Sequence, residues 1–110
     1  MTKTRIYSQY SIEAAVLLSA QIKLGRKQRK WTESELASRA GISRATLQKI
    51  EKGDMTCAIG LVFEVATLVR VPLFDTDKTS MAMHLDRMSD KLALLPKAVH
   101  RSRKAVDDDF

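Results

Sequence analysis

Apolar residues recur along the chain at spacings of three and four, and the polar residues between them mark where each helix starts and stops. The clearest stretch is Trp31–Gly53. Leu36, Ala37, Ala40, Ile42, Leu47 and Ile50 fall on inward faces at helical spacing. Thr32 is a good N-cap, and Glu35 three residues on completes a capping box, which starts a helix over about residues 33–40. Gly41 can take the left-handed conformation that ends this helix and turns the chain. Ser43 then caps a second short helix over about 44–51, and Gly53-Asp54 is the turn after it. Ala37 is small where the second helix must cross close by.

The flanking pattern is also helical. Residues 1–10 read as an extended N-terminal arm. Ser11 is a cap for a helix from about Ile12 to Lys30, with Ala14, Ala15, Leu18 and Ile22 on its apolar face. Lys23, Arg26, Lys27, Arg29 and Lys30 crowd its end, where the helix dipole favours cations, and Gly25 weakens its last turn. After the central stretch, Thr56 caps a helix over about Cys57–Val69, with Ile59, Val62, Phe63, Ala66 and Leu68 as its apolar bulk. Pro72 pushes Val71 into an extended conformation, and Val71–Asp75 fits a turn of helix or a short edge strand equally well. Met81, Leu85, Met88, Leu92 and Leu95 then form a narrow seam on one helix, which Pro96 breaks. The reading is all-α with about five helices: an arm over 1–10, a domain over 11–75, and a helical tail over 76–110 with a disordered end.

Charge gives this pattern a direction. The net charge is +6, and its distribution is uneven: residues 1–70 hold twelve Lys/Arg against six acids, whereas residues 71–110 hold seven of each. The excess therefore sits on the segment with the two short helices. The outward residues of the second are Arg44, Ala45, Gln48, Lys49 and Lys52, a polar and basic face without an acid. Two helices joined by so sharp a turn form a helix-turn-helix, and a short basic helix presented this way has the shape to enter a DNA major groove.

Other chemistries find no support. Cys57 is the single cysteine, so an internal disulfide and a cysteine-clustered zinc site are both excluded. His84 and His100 lack metal-ligand spacing, and Gly25-Arg26-Lys27 follows neither a strand nor a glycine-rich loop. No enzyme, metal or cofactor is expected. No apolar run has signal-peptide or membrane-spanning length, so the expected location is the cytoplasm, without a membrane.

Residues 12–74, and Trp31–Gly53 most specifically, resemble the xenobiotic-response-element family of helix-turn-helix proteins, with its lambda-repressor-like fold. Within it, Ile6-Tyr7-Ser8, Trp31-Thr32 and Gly41-Ile42-Ser43-Arg44-Ala45-Thr46 resemble the HipB-type antitoxins. That resemblance implies a repressor of its own operon that also binds a HipA-type kinase toxin. It implies a clamp between Arg26 and Glu51, holding the recognition helix to the first helix. It also exposes a departure: the second helix of the family usually begins Thr-Gln, with the glutamine on a phosphate, and here it begins Thr32-Glu33.

On this frame Arg44 is the candidate for guanine, Ala45 and Thr46 for a thymine methyl, and Lys49 for a base or the backbone. Lys27, Gln28, Lys30, Ser34, Ser43, Lys52 and Thr56 are candidates for phosphate contact. Arg39 could serve the backbone or simply be solvated. A homodimer on a palindromic duplex operator is expected, since one recognition helix reads half of such a site. The seam Met81/Leu85/Met88/Leu92/Leu95 could fold back or pair with its copy, or dock on a protein partner, to which methionines adapt well. Three functions remain open: an antitoxin, a stand-alone or phage-type repressor, and an interaction module without DNA binding. The basic outer face argues against the third.

Overall fold

A computed structural model describes residues 5–99. It contains five helices: α1 (Gln9–Gln28), α2 (Glu33–Ala40), α3 (Arg44–Glu51), α4 (Ile59–Leu68) and α5 (Lys78–Ala93). The first four lie in a unit ending at Asp75, and α5 lies in a second unit beginning at Thr76. The described residues adopt the all-α class expected from the pattern. No helix among the described residues is long and apolar enough to cross a membrane.

The core of the first unit takes one or two turns from every helix. Ile22, Leu36, Leu47 and Val65 are fully buried, and Ala37, Ile50, Ala66, Val69 and Val71 complete the cluster. Trp31, Ala40 and Ile42 pack partly against it. On α1 the buried residues are Ser19, Ile22, Gly25 and Arg26, whereas Ala14 is exposed. The core-facing stripe is therefore rotated away from the Ala14 side.

The two short helices match their local signals residue for residue. The Thr32 hydroxyl accepts the Glu35 N–H at 3.1 Å and the Thr32 N–H donates to Glu35 Oε1 at 2.7 Å, closing the capping box. Gly41 sits at φ 70° with open space around it, so its backbone conformation, not crowding, is what requires glycine.

Four boundaries differ from the pattern. Ser8, not Ser11, caps α1: its hydroxyl accepts the Ser11 N–H at 3.3 Å, so the helix gains a turn upstream. At the other end Lys30 adopts φ 59°, and the Trp31 N–H bonds back to the Arg26 carbonyl, which closes the helix before Lys30. Thr56 does not cap α4, because its N–H and hydroxyl both donate to Asp54 Oδ1, at 2.8 and 2.6 Å. The helix starts instead at Ile59, after Ala58 and with no side-chain cap, and Ile59 is exposed. Val71–Asp75 is neither a helical turn nor a strand: Val71 and Pro72 are followed by a tight turn with Phe74 at φ 55° and Asp75 at φ 57°.

Gly25 does not loosen the end of α1. It is buried, and a Cβ there would stand 2.9 Å from both the Cβ and the carbonyl oxygen of Val69. It marks the place where α1 and the end of α4 touch backbone to backbone, which outweighs its poor helix propensity.

Described by itself, α5 is capped by Asp77, whose carboxylate accepts the Ser80 N–H at 2.8 Å, and it has no buried residue. Leu85, Met88, Leu92 and Leu95 are exposed, and Met81 is half-buried. The foreseen loose end falls on residues 100–110, outside the described residues, as does His100.

Candidate nucleic-acid interface

The site is built on two helix starts that the turn at Gly41 brings together. At the second, the Ser43 hydroxyl accepts the Thr46 N–H at 3.0 Å and donates to Thr46 Oγ1 at 2.9 Å. Those bonds hold Thr46 half-buried, with its hydroxyl already engaged, and leave Ser43, Arg44, Ala45, Lys49 and Lys52 exposed around it. On the opposite side of α3, Leu47 and Ile50 anchor the helix in the core. One side thus serves packing, and the other is open to solvent.

Arg26 and Glu51 fix how α3 sits on α1. Arg26 Nε donates to Glu51 Oε2 at 2.7 Å and Nη2 donates to Oε1 at 3.0 Å, a two-pronged pair with both side chains nearly sequestered from solvent. Arg26 Nη1 also donates to the Trp31 carbonyl at 3.0 Å, so the same guanidinium ties down the link into α2. The Glu51 hydrogen bond, opposed by burial, holds the Arg26 pKa above its ordinary value.

The outer face is not free of acid once it is folded. Glu33, the first residue of α2, reaches across the turn: its Oε1 accepts from Arg44 Nε and Nη2, both at 3.4 Å, and from Gln48 Nε2 at 3.2 Å. The Gln48 hydrogen bond, then that of Arg44, draws the Glu33 carboxyl below its usual range. The sequence placed Glu33 at the start of the second helix and Arg44 at the start of the third. What it lacked was the side-to-side registration of the two starts, although the short turn between two capped helices was a signal for it.

Arg26, Thr32, Glu33, Ser34 and Arg44 together line an open depression beside these helix starts. Ser34 is exposed there, at an N-terminal turn whose N–H groups and dipole suit an anion. Lys27 and Gln28 are exposed on the last turn of α1, and Lys30 on the left-handed residue after it. Thr56 is exposed, but its hydroxyl is committed to Asp54. Arg39 lies with its guanidinium 4.2 Å from the centre of the Trp31 ring, a stacking role that the sequence reading did not raise. Cys57 is half-buried, and burial pushes its thiol pKa up, away from reactivity. Among the described residues no group of three His, Cys, Asp or Glu side chains could hold a metal ion.

The family model described as Helix-turn-helix matches residues 22–75. The chain is 36% identical over 58 residues to the HTH-type transcriptional regulator SutR of Escherichia coli (strain K12), a match that covers 53% of this chain and 33% of that protein. The chain thus spans about a third of the length of that curated relative. Among solved structures, a HipB variant in complex with an O2 20mer superposes with a TM-score of 0.50 at 26% identity, covering 70% of this chain and 99% of that one. A structure named MDT Protein superposes with the same TM-score at 28% identity, covering 69% and 99%.

Proposed function

Residues 22–75 belong to the helix-turn-helix family, and from that premise we propose that the chain is a sequence-specific, DNA-binding transcriptional repressor. In the same proposal it is the antitoxin of a toxin–antitoxin pair: it binds the operator of its own operon as a homodimer and binds a HipA-type kinase toxin, in the cytoplasm. The observation that carries the DNA reading is the first turn of α3. It starts at a capped Ser43, is pinned from behind by the Arg26–Glu51 pair, and turns Arg44, Ala45 and Lys49 outward. Arg44 takes guanine O6 and N7, Ala45 and the Thr46 methyl meet thymine, and Lys49 reaches a base or phosphate one turn on. Lys27, Gln28, Lys30, Ser34, Ser43 and Lys52 hold the duplex backbone, whereas Thr56, whose N–H and hydroxyl both donate to Asp54, is not assigned a phosphate.

The antitoxin part draws support from the likeness to the HipB complex over nearly that whole chain. The likeness to SutR, a transcriptional regulator, favours a second reading: a repressor without a toxin partner. One experiment separates them. Co-expression with the product of the neighbouring reading frame should yield a stable complex with a kinase-like protein; no such complex leaves the stand-alone repressor. For the DNA reading, Arg44→Ala should cost about 1–3 kcal/mol of binding and relax discrimination at one base position, measured on single-base variants of the bound duplex. Unchanged affinity for every variant would remove Arg44 from the readout.

A further inference from the structure

We propose that Glu33 is a positioning and specificity-determining residue of the DNA face: it holds Arg44 and Gln48 in one reading orientation and, as an anion, weakens binding that rests on phosphate alone. The inference rests on the DNA-reading role proposed above and assigns to Glu33 a part that neither the family model nor the relatives' names give it.

Arg44 and Gln48 are four residues apart, so they share one face of α3. One oxygen, Glu33 Oε1, accepts from both. The bonds engage the Nε–Nη2 edge of Arg44, and its Nη1 makes no hydrogen bond among the described residues. The terminal fork, Nη1 with the second N–H of Nη2, is therefore left uncommitted, and it is a pair of donors that guanine O6 and N7 can take. Gln48 spends one amide N–H on Glu33 and keeps the other together with its carbonyl, the donor and acceptor that adenine N7 and N6 match. A single carboxylate thus orders two readers at once.

Stability is not what this arrangement serves. The Arg44 side chain is 63% exposed and the ion pair spans 3.4 Å, so the pair contributes little to folding. Its effect falls on binding. An acid on a surface that meets phosphates lowers affinity for every duplex by a similar factor. The ordered guanidinium and amide restore that loss only where the bases match, and specificity is this difference between affinities. Glutamine at the same position would keep an acceptor for Arg44 without the charge, which makes Glu33→Gln and Glu33→Ala separable probes of the two effects.

The test uses the full chain. Duplexes selected by it from a randomised library, their single-base variants and a scrambled duplex are titrated with the unsubstituted chain, E33Q, E33A, R44A and the E33A/R44A pair. Thermal melts confirm that each variant is folded. E33A should bind the scrambled duplex several-fold more tightly while losing about tenfold in discrimination at the base pair that R44A relaxes. E33Q should show the same gain on scrambled DNA and a smaller loss of discrimination. In the R44A background E33A should add no further loss of discrimination at the base pair that R44A relaxes, and its remaining loss should fall on the base pair read by Gln48. In the free protein the Arg44 Nε proton signal should exchange faster with solvent in E33A. Selection of no consensus by the unsubstituted chain overturns the DNA-reading role and this inference with it. A consensus read equally well by E33A, or a uniform drop on all duplexes, overturns the inference alone.

Discussion

Arg26 and Glu51 show what a single buried contact can do for a recognition surface. The two-pronged pair removes both charges from solvent, and such a pair is worth less as a source of stability than it costs to break. Arg26→Ala leaves the Glu51 carboxylate and the Trp31 carbonyl without their donors, and Glu51→Ala leaves a buried guanidinium. Each single change should destabilise by about 3–5 kcal/mol, while Arg26→Met with Glu51→Leu should cost well under the sum. Urea denaturation of the four proteins reads this directly, and additive losses would mean that the two residues do not act as a pair. At this scale legibility was uneven. The clamp came into view through a family resemblance, since 25 residues of sequence separate its halves. Glu33 was visible only as a departure from a motif. The contacts it makes depend on where two helix starts meet in space, which no local spacing encodes.

At the scale of the element, the helices that were legible are those whose signals are complete within a few residues. Thr32, Glu35, Gly41 and Ser43 bound α2 and α3 without help from the rest of the chain. Where two residues could serve, as with Ser8 and Ser11, or where a neighbour takes the cap, as Asp54 takes Thr56, the boundary shifts. Gly25 is the instructive miss, because its reason lies on another helix. In an open helix Gly→Ala stabilises by about 1 kcal/mol. Here the added Cβ meets the Cβ and carbonyl oxygen of Val69, and Gly25→Ala should instead cost about 1–3 kcal/mol through overpacking. Val69→Ala should not rescue it, because it removes only the outer methyls and leaves the Cβ and the carbonyl in place. A melt that rises for Gly25→Ala would show that α1 and α4 are not in close contact there. On α5 the prediction is one of pH. Hydrogen bonding to the Ser80 backbone holds the Asp77 carboxyl below its ordinary 3.8, so its stabilising effect is whole above that value and is lost as pH falls through the lower, folded one. The carbon chemical shifts of residues 78–93 should therefore lose helical character in acid, and Asp77→Asn, which still caps, should flatten the part of that profile due to Asp77.

Across the whole chain, charge and apolar surface are divided between the two ends. The excess of cations lies in residues 1–70, with every buried core residue described except Val71, whereas residues 71–110 are neutral in sum and α5 buries nothing. On this division we propose duplex contact for the first part, and for the seam of the tail either pairing with a second copy or docking of a partner. If the seam joins two copies, each operator is gripped by two sets of phosphate contacts, and the slope of log affinity against log salt counts both sets. Replacing Leu85 and Leu92 by serine leaves every charge in place and removes two exposed leucines from the seam. The substituted chain should run as a monomer in sedimentation at concentrations where the parent is a dimer. Its operator affinity should drop, and its salt slope should fall toward half that of the parent, because one copy releases about half the counterions. Reduced affinity with an unchanged slope would mean that both copies still bind and that the seam contributes something other than pairing. A slope near zero in the parent itself would remove the basic segment from the interface, and the DNA reading with it.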